Sequence, residues 1–242
     1  MEQQAIERGH KESPLTVLVF GNSASIQFRR DNFLLGEEQS RFSSTGTSRI
    51  IPLQREIADR YISVINMTGL HETELNLDCV DHLIELLNEN EIHAFIFVVR
   101  QGQLTNDDKM GLDQLQRVFG DKVLQFVIFL FTYEREEEHT TIEDDLKKNP
   151  ALVQLLENCG GRYQTCNKMM NNQSEMRDLM KKIEHLFNEN QQQGYTGEMF
   201  NTERKNYFQK SKNESDESKF KKDSMEHTTM TGTKETHKVC NG

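Results

Sequence analysis

The chain has 242 residues, which is enough for one α/β domain and a tail. Its formal net charge of -10 and its pI near 5.4 argue against nucleic acid or anionic lipid as partners, because both would repel the protein. The N-terminus lacks the apolar core of a signal peptide, and the longest apolar runs, such as residues 123–131, are too short to span a bilayer. We therefore expect a cytoplasmic protein without a transmembrane segment.

Runs rich in β-branched and aromatic residues predict the strands of a buried sheet. In chain order, the first four cover residues 15–20, 61–66, 93–99 and 123–132. A fifth strand is predicted over residues 161–167. The first four runs are almost continuously apolar rather than alternating, which is typical of a parallel sheet covered on both faces.

Helical patterns lie between the predicted strands. Apolar residues at helical spacing predict one helix over residues 77–87. A second helix should follow Thr105, a predicted N-cap, and end at Gly120, and a third should occupy residues 149–160. The apolar positions of the last predicted helix, interpreted as core contacts, are Met176, Leu179, Met180, Ile183, Leu186 and Phe187.

The alternation of strands and helices predicts an α/β fold: a mostly parallel sheet of five or six strands with helices on both faces. In such a sheet, ligands bind at the carboxyl ends of the strands. We assign residues 14–196 to this domain and residues 1–13 to a disordered N-terminus. Residues 197–242 are polar, mixed in charge and poor in aliphatic side chains, so we predict a disordered C-terminal tail.

The sequence offers no pattern of metal ligands. None of the four cysteines stands in a C-x-x-C pair, and the histidines do not fall at metal-ligand spacing. The acidic run at residues 134–139 is interpreted as a solvated loop. We therefore predict reduced thiols and no metal site.

Several segments together resemble one family. The block HAFIFVVRQGQLTNDDKMGLDQLQRVFGDKVLQFVIFLFT, residues 93–132, is similar to the central block of the immunity-associated GTPases of the GIMAP or avirulence-induced-gene type. The stretch ENCGGRY at residues 157–163 resembles the segment before the last strand of that family. The resemblance covers about residues 14–195, and it implies a Ras-like P-loop NTPase fold that binds GTP or GDP.

The resemblance places the phosphate loop of the family, G-x-x-x-x-G-K-[S/T], at the end of the first strand. Gly21 matches the first glycine, but Ile26 replaces the second, Gln27 the lysine and Phe28 the hydroxyl residue. The positions that the resemblance assigns to this loop are Gly21, Asn22, Ser23, Ala24, Ser25, Ile26, Gln27 and Phe28. All three groups that would hold phosphate and magnesium are therefore missing.

These replacements should weaken nucleotide binding strongly. A β-branched Ile26 is a poor occupant of a glycine conformation, Gln27 cannot neutralise phosphate charge, and Phe28 offers no ligand to Mg²⁺. A loss of about 5 kcal/mol corresponds to roughly three to four orders of magnitude in affinity for a triphosphate. We predict that GTP or GDP binding is weak or absent, and that Mg²⁺ is not bound.

The other motifs implied by the resemblance depart in the same direction. Asn66 stands where the family has the magnesium-linked Asp of D-T-P-G, although Gly69 is retained. Glu134 and Glu136 occupy the basic and Asp positions of the guanine-reading motif. Asn167 matches the last base-contacting Asn of the family, with Cys166 in place of the aromatic residue before it. For Gly21 and Gly69 a role as turn residues is favoured over contact with a nucleotide, and for Asn167 a role as a loop hydrogen bonder.

Three functions follow from this combination. The first is a non-catalytic G domain that binds partners, either related G domains through the side-by-side surface of the family or further copies of itself. The second is a protein that retains weak binding of guanine nucleotide. The third is an active GTPase, which the missing lysine and hydroxyl residue disfavour, so no catalytic residue is assigned.

Overall fold

The structure, a computed structural model, describes residues 14–21, 52–57, 60–68, 77–102, 105–135, 142–167 and 173–205. Its centre is a six-stranded sheet. The strands are β1 (Leu15–Gly21), β2 (Leu53–Ile57), β3 (Arg60–Thr68), β4 (Ala94–Arg100), β5 (Val127–Tyr133) and β6 (Tyr163–Asn167). The helices are α1 (Leu77–Glu89), α2 (Asn106–Phe119), α3 (Ile142–Lys148), α4 (Pro150–Asn158), α5 (Gln173–Glu189) and α6, residues 197–205.

The strands follow the order β2-β3-β1-β4-β5-β6, and only the β2–β3 pair is antiparallel. This confirms the expected mostly parallel α/β sheet. β2 was not predicted, because it is a five-residue edge strand in which Gln54 and Glu56 face solvent. Such a strand lacks the continuous apolar run that marks the buried strands.

Local sequence signals set the helix ends as expected. The Thr105 hydroxyl accepts a hydrogen bond from the Asp108 amide, and the Asp108 carboxylate accepts one from the Thr105 amide, which completes a capping box for α2. α2 ends before Gly120, whose φ of 81° is a conformation that favours glycine. Asn149 caps α4 by accepting from the Leu152 amide.

The strand predicted over residues 123–132 begins four residues later than expected. A 3-10 helix occupies Asp121–Phe126, and β5 starts at Val127. Val123 and Phe126 are both buried, because a spacing of three residues brings them to one side of the 3-10 helix. The apolar run therefore combined a helical turn and a strand that have the same composition.

Helices cover both faces of the sheet. On one face, Phe20, Phe97 and Phe129 form a core with α1, α2 and α4, and on the other face Val19 and Ile96 pack against α5. The α5 residues on that second face were predicted from sequence, and those that are buried there are Met176, Leu179, Met180, Ile183 and Leu186. None of the helices within the described residues combines the length and apolar character needed to cross a bilayer.

The predicted start of a disordered tail at residue 197 is wrong for residues 197–205. These residues form α6, and the Phe200 side chain in α6 is 1% exposed. The Phe200 ring is buried in the core and Met199 packs against the same core, a docking that the polar composition of this segment did not indicate. Residues 1–13 and 206–242, also assigned to disordered termini, lie outside the described residues.

Candidate functional site

The carboxyl ends of β1, β3 and β4 meet at one edge of the sheet. Gly21, the last residue of β1, lies opposite Thr68 of β3 on one side and Val98 of β4 on the other. The φ of Gly21 is 139°, which residues with a Cβ rarely adopt. β1 therefore ends in a backbone conformation that favours glycine, at the place where the resemblance puts the start of a phosphate loop.

Asn66 of β3 lies two residues before this edge, since Thr68 is the residue that pairs with Gly21. It is opposite Val19 in the register of β1 and β3, and its side chain is 4% exposed. An amide at this place is buried among the strand ends, and it carries no charge for a cation. The described residues contain no group of three or more His, Cys, Asp or Glu side chains that is arranged to hold a metal ion.

Part of the predicted site belongs to segments outside the described residues. Residues 22–28, Gly69 and Glu136 lie outside the described residues, so the roles assigned to them stay predictions. Glu134 belongs to the described residues. It follows the last residue of β5, and its side chain is exposed to solvent. The structure therefore brings together Gly21 and Asn66 at one part of the edge, with Glu134 and Asn167 at the ends of β5 and β6.

A buried carboxylate joins the ends of β5 and β6. Glu175, in the first turn of α5, accepts a hydrogen bond from the Tyr133 hydroxyl at 2.6 Å and another from the Asn167 backbone amide at 2.9 Å. Tyr133 and Asn167 lie opposite each other in the strand register. The two carboxylate oxygens thus fix the last residues of both strands to α5, and they hold the segment that carries Asn167 in one position.

Cys166 is enclosed by the same network. Burial, together with the nearby Glu175 carboxylate, raises the pKa of the Cys166 thiol to about 12. At neutral pH the thiol is therefore protonated, and a protonated thiol is a poor nucleophile and a poor metal ligand. Cys166 fills the space beside Asn167 as a small apolar side chain.

Tyr133 and Glu175 were not among the residues singled out from sequence. Tyr133 stands between the F-T pair and the guanine-reading positions, so the motif gave it no role of its own. Glu175 lies eight residues after Asn167 at a helix start, where an acidic residue is common for reasons of helix capping. Their contact depends on how α5 packs on the sheet, which local sequence does not specify.

Replacing Glu175 with alanine should destabilise the domain. The change removes the carboxylate that accepts from the Tyr133 hydroxyl and from the Asn167 amide, and loss of one buried hydrogen-bond partner costs about 1–3 kcal/mol. We expect a loss of about 3 kcal/mol in the free energy of unfolding, measured by urea denaturation. Glu175→Gln, which keeps one acceptor oxygen, should lose about half as much.

Asp178 on the same helix provides the control. It is half exposed and pairs with Lys181 at the surface, so Asp178→Ala should change the free energy of unfolding by less than about 0.5 kcal/mol. Equal losses for Glu175→Ala and Asp178→Ala would show that the buried carboxylate does not fasten the two strands.

Comparison with known proteins places the chain in a family. The sequence profile of the AIG1 family matches residues 15–215. The chain belongs to the AIG1 family. It is 27% identical over 195 residues to human GTPase IMAP family member 8, a match that covers 76% of this chain and 29% of that protein. It is 25% identical over 206 residues to Immune-associated nucleotide-binding protein 2 of Arabidopsis thaliana, covering 79% and 86% of the two chains.

The fold is also similar to that of a solved structure. A crystal structure of Toc33 from Arabidopsis thaliana with GDP and Mg²⁺ has a TM-score of 0.52 and 20% identity, over 76% of this chain and 87% of that chain. This likeness confirms the Ras-like P-loop NTPase fold. The matched region spans less than a third of the human relative, so the activity of that whole protein is not assigned to this chain.

Proposed function

We propose that this AIG1-family chain is a non-catalytic G domain that acts by binding partners. The observation that carries the proposal is a contrast. The sheet of the family is intact, but the sequence lacks the lysine and the hydroxyl residue that the family has in the loop after β1. Gly21 still ends β1 with a glycine conformation, whereas Gln27 and Phe28 replace the lysine and hydroxyl positions of the loop that follows. The family scaffold is kept, while the charges that would hold a triphosphate are gone.

The loss of magnesium ligands extends to β3, the strand beside β1. Asn66 is buried next to the end of β1, where the family resemblance expects an aspartate. Neither Asn66 nor Phe28 supplies a negative oxygen or a hydroxyl to Mg²⁺. Phosphoryl transfer depends on positioning and on charge stabilisation by lysine and magnesium, so a domain without both has no means to accelerate hydrolysis.

The partners that this proposal favours are G domains, either further copies of this chain or related family members. A fold whose shape no longer depends on a bound phosphate presents the same surface at all times. The domain would therefore assemble without a nucleotide signal, in contrast to a switch whose loops are ordered by the γ-phosphate.

Weak binding of guanine nucleotide is the second candidate, and the end of β6 favours it. The Glu175 carboxylate fixes the backbone of Asn167, the residue that matches the base-contacting position of the family. The backbone of Asn167 is thus fixed, whereas Gln27 replaces the positive charge that the family has at the phosphate. A ligand held only by its base would bind weakly and would not require Mg²⁺.

The proposal predicts that assembly is independent of nucleotide. We expect the purified full chain to show the same mass distribution by light scattering when it is nucleotide-free, with GDP, or with GTP and Mg²⁺, at each of several protein concentrations. An association that appears only with GTP and Mg²⁺ would contradict a fixed assembly module and would favour a working switch. A family member with an intact phosphate loop serves as the control.

A further inference from the structure

The chain after α5 folds back across the sheet. We call residues 190–205 the strap. α5 packs on the face of the sheet that contains Val19 and Ile96, but Tyr195 and Phe200 of the strap are buried in the core on the opposite face. The strap therefore carries the chain around the amino edge of the sheet, away from the edge that holds Gly21 and Asn66.

The strap is held by specific contacts. Tyr195 exchanges two backbone hydrogen bonds with Ile92, at 3.0 and 2.8 Å, and its hydroxyl donates to the Phe119 carbonyl oxygen. The Phe200 ring packs on Phe119 with 5.7 Å between centroids. Further along α6, the Glu203 carboxylate accepts from the Asp121 amide at 3.2 Å. Each contact joins the strap to the body of the domain, in a groove beside Ile92 and Phe119. The strap of another copy has the same residues, so it would fit the same groove.

The turn that starts the strap is strained. Gln191 and Gln192 both have φ of 58°, the left-handed region that is unfavourable for residues with a Cβ. The Gln192 amide donates to the Phe187 carbonyl oxygen, a helix-ending pattern in which glycine is the usual residue. A second unfavourable feature lies beside them, because the buried side-chain nitrogen of Asn190 has no hydrogen-bond partner.

Both features disappear if α5 continues as a helix through the turn. Gln191 and Gln192 would then take ordinary helical angles, and the Asn190 side chain would turn to solvent. A longer α5 carries Tyr195 and Phe200 past the amino edge of its own sheet and out of reach of their groove. The groove is then open to the strap of a neighbouring molecule, in which the same contacts form again.

We infer that two copies of this chain exchange their straps, so that residues 190–205 of each copy dock on the Phe119 and Ile92 groove of the other. The contacts of the strap are equal in the single chain and in the exchanged pair, and relief of strain at Gln191 and Gln192 favours the pair. The strap exchange rests on the proposed assembly role. It specifies that the surface is this groove and that the partner is a second copy of the chain. The exchange takes place at the amino edge, so it requires no nucleotide.

A pair of introduced cysteines tests the exchange directly. A Cβ on Gly194 would lie 2.9 Å from the Glu91 Cβ, within about 1 Å of the usual separation in a disulfide. Glu91→Cys and Gly194→Cys are combined in a full chain in which Cys79 and Cys240 are replaced by serine. Oxidation of the isolated dimer fraction should give a covalent dimer on a non-reducing gel, and the isolated monomer should give only an internal cross-link.

Variants of the turn at Gln191 and Gln192, made in the full chain, test whether backbone strain favours the exchange. Gln191→Gly with Gln192→Gly removes the strain, so the dissociation constant of the dimer should rise by about 100-fold, as measured by sedimentation. Gln193→Gly is the matched control, because Gln193 is exposed and is not among the described residues with positive φ. Because the control places one glycine in each continued helix, it should raise the dissociation constant by about tenfold at most.

Three results would overturn the exchange. One is a dimer fraction that forms only internal cross-links, which leaves the proposed assembly role intact through another surface. The second is an equal effect of the Gln191→Gly, Gln192→Gly variant and the Gln193→Gly control. The third is a chain that stays monomeric at every concentration. The proposed loss of nucleotide chemistry stands or falls separately, because it is measured by nucleotide titration and not by association.

Discussion

Restoring five residues should convert this chain into a magnesium-dependent binder of GTP. The variant combines Ala24→Gly, Ile26→Gly, Gln27→Lys, Phe28→Ser and Asn66→Asp. It returns the backbone approach to phosphate, the positive charge and the magnesium ligands that the family pattern has at these positions. Charged hydrogen bonds contribute about 1.5–3 kcal/mol each, so the affinity for GTP should rise by roughly a thousandfold.

The control keeps Gln27 and restores the other four positions. Without the lysine, we expect less than about a tenth of the gain in affinity, because the remaining changes leave the phosphate charge uncompensated. Affinity is measured by titration with a fluorescent GTP analogue, with Mg²⁺ and with a chelator. No gain in the five-residue variant would mean that the pocket has been remodelled beyond these positions.

Truncation after residue 196 should lower the thermal midpoint by about 10 °C. This removes α6, and with it the Phe200 ring that packs on Phe119 and the Glu203 carboxylate that accepts from the Asp121 amide. Loss of a buried aromatic ring costs about 3–5 kcal/mol, and each kcal/mol shifts the midpoint of a domain of this size by about 2–4 °C. The measurement is thermal unfolding followed by circular dichroism.

Two further variants separate the role of Phe200 from that of chain length. Phe200→Ala in the full chain should reproduce most of the loss, whereas Asn201→Ala, at an exposed position of α6, should leave the midpoint within about 2 °C. An unchanged midpoint after truncation at 196 would contradict the docking of α6. It would also restore the original expectation that the tail begins at residue 197.

The sequence was sufficient to predict the fold because its strongest signals are local. Continuous apolar runs gave β1, β3, β4 and most of β5, and the capping residues Thr105 and Asn149 gave the starts of two helices. β2 was missed because an edge strand with exposed polar residues has no such run. The strap was missed because its two anchoring rings, Tyr195 and Phe200, stand in a polar segment, and their burial depends on a groove formed by distant residues.

The site was predictable only in part, for a related reason. Gly21, Asn66 and Asn167 were assigned by position in a motif, and the structure places Gly21 and Asn167 at the carboxyl ends of their strands and Asn66 two residues before the end of β3. The Glu175 carboxylate that fastens Tyr133 and Asn167 follows from the packing of α5, so no motif pointed to it. The strain at Gln191 and Gln192 is likewise a property of the folded backbone and not of the glutamine side chains.

A titration of the unmodified full chain with a fluorescent GTP analogue tests the central claim most directly. It is carried out with Mg²⁺ and again with a chelator, with GDP as a competitor. Because Gln27, Phe28 and Asn66 supply neither a positive charge for phosphate nor a carboxylate or hydroxyl for magnesium, we predict binding no tighter than about 100 µM, equal in both conditions, and no hydrolysis. Submicromolar binding that requires Mg²⁺ would contradict the account, since it would show that the replaced residues still hold a triphosphate.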